Sequence, residues 1–448
     1  MKRRQVMSRF PIHVAHITIE ATTPLKVGSN ASDFLQDAPV QKDWNNLPMI
    51  LGTSLAGVLR KEFDKKEANT IFGDEDTKKK DAKASKLIIS NALLLNENNK
   101  VSESLIMKKS KFLQHFENLP IREHTVLNEK GFSENKFDEE VVYKGSCFKF
   151  SIEMIEDDLV NFQKLLKLLH SAHLRLGGGS TKGFGVFKIV ELKTKAFRDE
   201  DYHKYSSSLN YLLAKEEPME NISSQKYIKY TLSIEPEDFF IFGSGFGDSN
   251  ADATPVYEQV IDYTTKSLTD KQILIPASSI KGALSHRTAF YYNQRKEVYL
   301  DNFKDKDDKE RKKHLGENND AVNTIFGHKK ELAKETQKEL GSKGKILISD
   351  CFKENKKEIK TFDHVSIDRF TGGAIDGALF QEKTIAQKDM WEIEILLHKD
   401  VQEEALEAFE KALIDITTGM LPLGGMTTKG HGVFVGAVSK DEEVLHHE

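Results

Sequence analysis

The sequence predicts an α+β fold built from two consecutive copies of one βαββαβ unit. The main observation is an internal repeat, because residues 174–189 and 421–436 share the pattern Leu-x-Leu-Gly-Gly-x-x-Thr-Lys-Gly-x-Gly-Val-Phe. Three weaker similarities occur in the same order in both parts of the chain. They pair residues 47–60 with 273–287, residues 69–73 with 323–327, and residues 86–94 with 345–353. This shared order indicates a tandem duplication.

Each half begins with a predicted strand followed by a predicted helix. Residues 13–21 and 229–235 alternate apolar and polar side chains, as strands with one buried face do. A hydroxyl residue before an apolar helical pattern is a typical N-cap. We therefore expect the first helix to begin at Ser54 in the first half and at Ser278 or Ser279 in the second half.

Two strands, a second helix and a last strand complete each half. The inner strands are predicted at 87–95, 149–155, 346–352 and 390–397. The second helix of each half carries apolar residues at helical spacing, which predicts a face buried in the core. These residues are Phe162, Leu165, Leu166 and Leu169 in one half, and Leu406, Phe409, Leu413 and Ile416 in the other. The order β-α-β-β-α-β is that of a ferredoxin-like unit with insertions.

The duplication and the composition set the domain boundaries. The first domain is predicted at 1–205 and the second at 227–448, with a polar linker at 206–226. The glycine-rich loops occupy 177–185 and 424–432.

The composition narrows the class of protein. No apolar run approaches the roughly 20 residues of a membrane helix, so we expect a cytoplasmic protein without a membrane partner. Two cysteines are too few for a disulfide framework or a four-cysteine zinc site. The net charge of -5 argues against nucleic acid covering the whole surface but allows a local basic groove.

The glycine-rich loops suggest phosphate binding without nucleotide hydrolysis. A P-loop follows a strand and precedes a helix, whereas these loops lie between a helix and a strand. Clustered glycines let the backbone approach a phosphate, and both copies add a threonine and a lysine. These are Thr181 and Lys182 in one copy and Thr428 and Lys429 in the other. The alternative reading is a tight helix-to-strand turn without a ligand.

Further motifs produce a family resemblance. A Pro-x-Ser-Ser-x-x-Gly helix start lies at 276–282, Ile-Phe-Gly occurs in both halves, and 364–385 reads HVSIDRFTGGAIDGALFQEKTI. Together with the glycine-rich loops, these motifs resemble the RAMP superfamily of CRISPR systems, above all the backbone subunits of type III effector complexes. Two such domains in one chain resemble the double-RAMP subunits of type III-D-like complexes.

The resemblance implies RRM-like domains that hold guide RNA and are flanked by thumb-like β-hairpins, for which 122–142 and 364–385 are the candidates. It implies as partners guide RNA, complementary target RNA, other RAMP subunits and the large signalling subunit. The residues that match RNA-binding positions of the family, or lie beside them, are Ser54, Arg60, Thr181, Lys182, Ser279, Lys281, Arg287, Thr428, Lys429 and His431.

The resemblance also implies a metal-dependent endoribonuclease that cleaves target RNA. In the family an aspartate in the loop after the first strand promotes cleavage with a divalent ion such as Mg²⁺. The matching residues are Asp37 and Asp252, which we expect to be catalytic and to contact the metal; Asp248 is a competing candidate in the second half. Asp in a loop also often accepts backbone N–H bonds without any catalytic role.

Two other functions stay open at this point. The protein could be a non-catalytic subunit that scaffolds or caps the guide RNA. It could also be a guide-RNA-processing endoribonuclease, although such enzymes are typically shorter and often use a histidine.

Overall fold

A computed structural model of the chain describes residues 11–29, 39–75, 82–127, 133–156, 158–217, 225–303, 311, 313–332 and 339–447. Asp37, the predicted catalytic residue of the first half, lies outside these residues. None of the helices in the described ranges is both long and apolar enough to cross a bilayer.

The first half contains nine strands and four α-helices in its described part. The strands are β1 (Ile12–Ala21), β2 (Met49–Ile50), β3 (Leu87–Ile89), β4 (Ala92–Leu94), β5 (Ile121–Leu127), β6 (Ser133–Glu140), β7 (Cys147–Met154), β8 (Phe187–Phe197) and β9 (Lys215–Glu216). The helices are α1 (Gly52–Arg60), α2 (Lys65–Phe72), α3 (Lys111–Gln114) and α4 (Leu159–Leu168).

The second half repeats this plan and adds short strands. The strands are β10 (Tyr227–Pro236), β11 (Tyr257–Glu258), β12 (Ile261–Asp262), β13 (Ser267–Leu268), β14 (Gln272–Ile275), β15 (Gly327–Leu332), β16 (Glu339–Lys343), β17 (Ile346–Ile348), β18 (Cys351–Lys353), β19 (Ile359–Ile367), β20 (Ala374–Ile385), β21 (Trp391–His398), β22 (Phe434–Lys440) and β23 (Glu443–His447). The longer helices are α5 (Ala277–Arg295), α6 (Asp320–Phe326) and α7 (Glu403–Thr417).

The strand order confirms the ferredoxin-like prediction in both halves. In the first sheet β1 lies between β7 and β8, and β3 and β4 pair with the far edge of β7. The second sheet has the equivalent order β17-β21-β10-β22, with β23 added at its edge. All of these pairs are antiparallel, as the βαββαβ connection requires.

Each sheet packs against its own helices around a separate hydrophobic core. The predicted stripe of α4 is buried, since Phe162, Leu165 and Leu166 are between 0% and 6% exposed. In α7, Phe409 and Leu413 are fully buried. Because the two cores each bury an apolar face of helix and sheet, each half has its own source of stability.

The predicted helix starts are wrong by one or two residues. Helix α1 begins at Gly52 and α5 begins at Ala277, so Ser54, Ser278 and Ser279 lie inside the first turn. None of these hydroxyls caps its helix.

The caps come instead from a distant part of each half. The Gly52 N–H donates to Asn91 Oδ1 at 2.9 Å, and the Ala277 N–H donates to Asp350 Oδ1 at 2.8 Å. Asn91 and Asp350 occupy equivalent positions in the repeated segments 86–94 and 345–353. Their oxygens satisfy a helix-terminal N–H group that has no partner within the helix.

The two segments proposed as thumbs are β-hairpins. Strands β5 and β6 pair with each other, and β19 and β20 pair in the second half. The second hairpin exposes apolar side chains toward its tip, including Ile367 at 61% and Phe370 at 97% exposure.

The described part of the predicted linker packs on the first half. Strand β9 pairs with β8 at the edge of the first sheet, and Leu209 and Leu213 are buried. Residues 206–217 therefore cover the first domain, and the exact boundaries at 205 and 227 stay a prediction.

A buried ion cluster joins the two halves. Arg122 on β5 donates through Nη1 to Asp350 Oδ2 at 2.6 Å and through Nη2 to Glu258 Oε2 at 2.9 Å, and its Nε also donates to Glu258. The guanidinium lies 4.8 Å from the ring centre of Phe184. Burial alone would lower the pKa of Arg122, but the two carboxylates raise it. We call Arg122, Glu258 and Asp350 the Arg122 cluster.

A second contact between the halves comes from the connection that contains β12 and β13. The Ile261 N–H donates to the Lys144 carbonyl at 3.0 Å, and the Tyr263 hydroxyl donates to the Leu95 carbonyl at 2.8 Å. Ile261 is part of the hydrophobic core of the first half, and the Tyr263 ring packs 4.9 Å from Phe112.

Replacing Arg122 with Met is expected to destabilise the junction strongly. Removing one partner of a buried ion cluster leaves uncompensated buried charge, which typically costs about 3–5 kcal/mol. Asp350→Asn should cost less, because asparagine can still cap α5 as Asn91 caps α1. Urea unfolding of both variants measures the effect. Arg198→Met, at an exposed position, is the matched control, and an Arg122→Met variant as stable as this control contradicts the prediction.

Candidate nucleic-acid interface

The two glycine-rich loops form equivalent contacts with the two hairpins. Lys182 places its Nζ 4.9 Å from the ring centre of Phe137 on β6. Lys429 places its Nζ 5.4 Å from the ring centre of Phe380 on β20. The phenylalanines occupy equivalent register positions, opposite His124 and His364 respectively. The duplicated chain therefore repeats one lysine–phenylalanine pair, which we call the Lys–Phe pair of each half.

A buried carboxylate lies under the Lys–Phe pair of the first half. Glu139 accepts from Lys26, lies 3.2 Å from His124 Nε2, and lies 4.0 Å from Lys182 Nζ. Burial would raise the pKa of Glu139, but these neighbouring groups lower it to about 2. The ionised carboxylate therefore ties the hairpin to the glycine-rich loop at neutral pH.

The second half has the same carboxylate with different partners. Glu382 Oε1 lies 2.9 Å from His364 Nε2 and 3.0 Å from His431 Nε2. Burial opposes ionisation, yet the hydrogen bonds from the two histidines lower the pKa of Glu382. His431, predicted to contact RNA, is only 7% exposed, so it positions the loop from below.

Glycine is required in these loops partly for packing, as the alternative reading of the sequence proposed. Gly177 and Gly424 have φ values of 82° and 92°, and a Cβ on either would lie within 2.4 Å of a backbone oxygen. A Cβ on Gly183 would lie 2.1 Å from Asp350 Oδ1, so the first loop also packs against the second half.

This packing brings two predicted residues together across the junction. Lys281 on α5 donates to Thr181 Oγ1 at 3.1 Å. Burial lowers the pKa of Lys281 to about 8, and the like charge of Lys182 adds to the shift. Among the described residues, no carboxylate pairs with the Lys281 amine. The arrangement concentrates positive charge where the halves meet.

A cleft of about 890 Å³ lies between the first hairpin and the second half. Its walls come from the base of the hairpin, the segment 242–246, the start of α5 and the second glycine-rich loop. Residues representative of these walls are His124, Gly245, Ser279 and Thr427. The cleft therefore lies between the hairpin of the first half and the glycine-rich loop of the second half.

Two predicted basic residues are occupied by internal contacts. Arg60 donates to the Gly73 carbonyl at 2.8 Å and to Asn69 Oδ1 at 2.6 Å, which joins α1 to the end of α2. Arg287 pairs with Asp415 on α7. Both guanidinium groups therefore stabilise helix packing. Ser54 lies in the first turn of α1, and Thr428 and Lys429 are exposed.

Asp252, the predicted catalytic residue of the second half, connects a loop to the second hairpin. It is exposed, and its Oδ2 accepts from the Gln381 N–H at 2.8 Å while its own N–H donates to the Gln381 carbonyl. Asp248, the competing candidate, pairs with Lys383 two residues further along β20. Hydrogen bonds from Lys383 and nearby backbone N–H groups lower the pKa of Asp248.

The described residues do not fit a resident Mg²⁺ ion. No three histidine, cysteine or acidic side chains in the described ranges are grouped to hold a metal. Asp252 supplies one exposed carboxylate, and one of its oxygens is already hydrogen bonded.

Sequence reasoning missed the hairpin residues of this interface. A signal was present, because Phe137-Asp138-Glu139 and Phe380-Gln381-Glu382 share Phe-x-Glu and lie in the two thumb candidates. His124 and His364 likewise lie at corresponding places. The surrounding residues differ so much that only the strand register makes the correspondence clear.

Comparison with known families agrees with the duplication. A sequence profile of the RAMP superfamily matches residues 18–188 and again residues 260–435, which together exceed half of the chain. No curated protein matches the chain.

Proposed function

The chain belongs to the RAMP superfamily, and on that premise we propose that it is a backbone subunit of a type III CRISPR effector complex that holds guide RNA. Membership with one match in each half supports a CRISPR-associated RNA-binding subunit. The type III-D-like assignment, the other RAMP subunits and the large signalling subunit are parts of this proposal.

The repeated Lys–Phe pair is the observation that carries the proposal. A lysine amine neutralises a phosphate, and a phenylalanine ring offers a surface on which a base can stack. Neither contact reads the identity of a base, which suits a subunit that must hold guides of many sequences. Because the pair occurs once in each half, the chain offers two equivalent points of attachment.

The cleft between the halves is the proposed path of the RNA between these points. Lys281 follows the cleft-lining Ser279 by two residues on α5, and its amine lacks a carboxylate partner among the described residues. A phosphate is the ligand that would neutralise this charge, and Thr181 offers a hydroxyl beside it.

Cleavage of complementary target RNA is the second part of the proposal. Asp252 is exposed and bonded to Gln381 in the second hairpin, and Asp37 is its proposed counterpart in the first half. A guide-holding subunit without nuclease activity is the alternative that the test below separates.

Lys182→Ala and Lys429→Ala should each weaken guide RNA binding by a similar factor for unrelated guide sequences. Loss of one phosphate contact should also reduce the slope of log K against log salt concentration by about 1. Fluorescence anisotropy with two unrelated RNAs at several salt concentrations measures both effects. Lys111→Ala, exposed on α3, is the control. Affinity that is unchanged in both variants, or lost for one sequence only, contradicts the proposed contacts.

Guide RNA affinity should fall as the pH rises through about 8. The pKa of Lys281 is lowered to about 8 in the free protein, so its amine is charged below that pH and neutral above it. Since the phosphate attracts only the charged amine, binding is strongest below this pKa. Anisotropy as a function of pH tests this, and Lys281→Ala should bind more weakly but with a flatter profile. An unchanged profile in Lys281→Ala contradicts a phosphate contact at this residue.

Asp37→Asn and Asp252→Asn should each remove one distinct cut in a complementary RNA. Asparagine keeps an oxygen that can accept from the Gln381 N–H, so Asp252→Asn preserves the loop while removing the carboxylate charge. The assay uses the assembled complex, end-labelled target RNA and Mg²⁺. Asp363→Asn is the matched control, because Asp363 also bonds to Gln381. If the double variant retains guide RNA and cuts like wild type, the catalytic assignment of Asp37 and Asp252 is wrong, and the chain is a guide-holding subunit without nuclease activity.

A further inference from the structure

One connection has different surroundings in the two halves. In the second half, the residues between β11 and β14 pack into the first half through Ile261 and Tyr263. The corresponding connection of the first half is residues 43–47, because Lys42 pairs with Pro48 just as Tyr257 pairs with Ile273. It carries Trp44, which is 64% exposed.

The short connection is held rigidly in this exposed position. Asp43 Oδ1 accepts from the N–H groups of Asn45 and Leu47 at 2.8 and 3.0 Å. Asn45 is buried, and its side chain donates to the Ser104 carbonyl and accepts from the Ile106 N–H. The loop therefore presents Trp44 in a fixed geometry, which lowers the entropy cost of binding a partner.

The bonds from Asn45 also place a second apolar segment beside the tryptophan. Leu105 is 66% exposed and Met107 is 91% exposed. We call Trp44, Leu105 and Met107 the Trp44 face. Clustered exposed apolar side chains on a rigid support mark a protein interaction site.

We propose that the Trp44 face docks a different protein subunit, which lies against the first half as the first half lies against the second. This inference rests on the proposed function, because it assigns one of the subunit contacts that the effector complex requires. In this arrangement the connection at 43–47 contacts the partner subunit, as the connection between β11 and β14 contacts the first half.

The chemistry of the partner follows from the contact already present inside the chain. Tyr263 enters an apolar pocket beside Phe112 and donates its hydroxyl to the carbonyl of Leu95. The indole of Trp44 is also a flat apolar group with one hydrogen-bond donor, its N–H, so it likewise needs an apolar pocket and an acceptor. The partner must offer an apolar pocket with a main-chain carbonyl at its base.

A second copy of this chain lacks the features needed for that position. Its second hairpin has Phe362 where the first has Arg122, since these residues face Glu382 and Glu139 respectively. The first half has Asn91 where the second has Asp350. The Arg122 cluster therefore cannot form between two copies.

The pocket is missing from a second copy as well. In the first half, residues 95–120 between β4 and β5 include α3, which supplies Phe112. In the second half, only residues 354–358 separate β18 from β19, and they contain no helix. The second half of another copy therefore has no counterpart of the wall that receives Tyr263.

The test replaces Trp44 with Asp in the full chain and compares it with Leu212→Asp. Leu212 is 80% exposed and lies on a different part of the first half, so it controls for an added surface charge. Each chain is co-expressed with the other subunits of its effector complex, and its fraction in the purified complex is measured. Guide RNA binding and sedimentation of each isolated chain are measured separately.

We expect Trp44→Asp to enter the complex about tenfold less than wild type, as loss of a central aromatic anchor predicts. Leu212→Asp should assemble normally, and both isolated chains should stay monomeric and bind guide RNA like wild type. Normal assembly of Trp44→Asp overturns the inference while leaving the proposed function intact. If the wild-type chain forms oligomers and Trp44→Asp does not, the partner is a second copy of the chain. If Trp44→Asp loses only RNA binding, the Trp44 face binds RNA. Either result overturns the inference. A wild-type chain that neither binds guide RNA nor enters a complex overturns the proposed function itself.

Discussion

The buried carboxylate of Asp350 is the constraint on which the arrangement of the two halves depends. One of its oxygens caps α5 through the Ala277 N–H, and the other accepts from Arg122 of the first half. A buried charge is tolerated only when its oxygens are satisfied, so helix start and domain junction are fixed by the same group. The first glycine-rich loop is included in this constraint, because Gly183 lies where any side chain would meet Asp350. At the equivalent position of the first half, Asn91 caps α1 in the same way.

The duplicated halves also show which contacts depend on function and which on local packing. The carboxylate under each hairpin is retained, but Glu139 is held by lysines and a histidine, whereas Glu382 is held by two histidines. The supporting groups have therefore changed while their electrostatic effect has not, since both carboxylates have lowered pKa values. The Lys–Phe pair above each carboxylate is unchanged in residue type. The Lys–Phe pair is therefore preserved although the residues that hold the carboxylate beneath it differ. A ligand that both halves bind explains this more simply than local packing does.

The sequence predicted the fold well where the signal is periodic or repeated, and poorly where a partner lies far along the chain. The repeat and the apolar stripes were sufficient to predict two βαββαβ units. The N-caps were wrong because the acceptors lie far along the chain, between β3 and β4 for α1 and between β17 and β18 for α5, about 40 and more than 70 residues away. The same difficulty affected the site, since Arg60 and Arg287 looked free in the sequence but contact groups within their own half. Lys281 shows the opposite case, because only the packed halves bring it to Thr181.

Under the proposed function, the position of Lys281 would link RNA binding to the assembly of the chain. Its amine lies partly buried at the junction, where the like charge of Lys182 lowers its pKa, and among the described residues no carboxylate pairs with it. Like charges in a partly dry environment destabilise the junction, so the halves are held together against this repulsion by the Arg122 cluster and by Tyr263. A guide phosphate at this position would reverse the sign of the interaction. A ligand that binds only the assembled junction stabilises it by mass action, and the guide would therefore act as a structural component of the protein as well as its cargo.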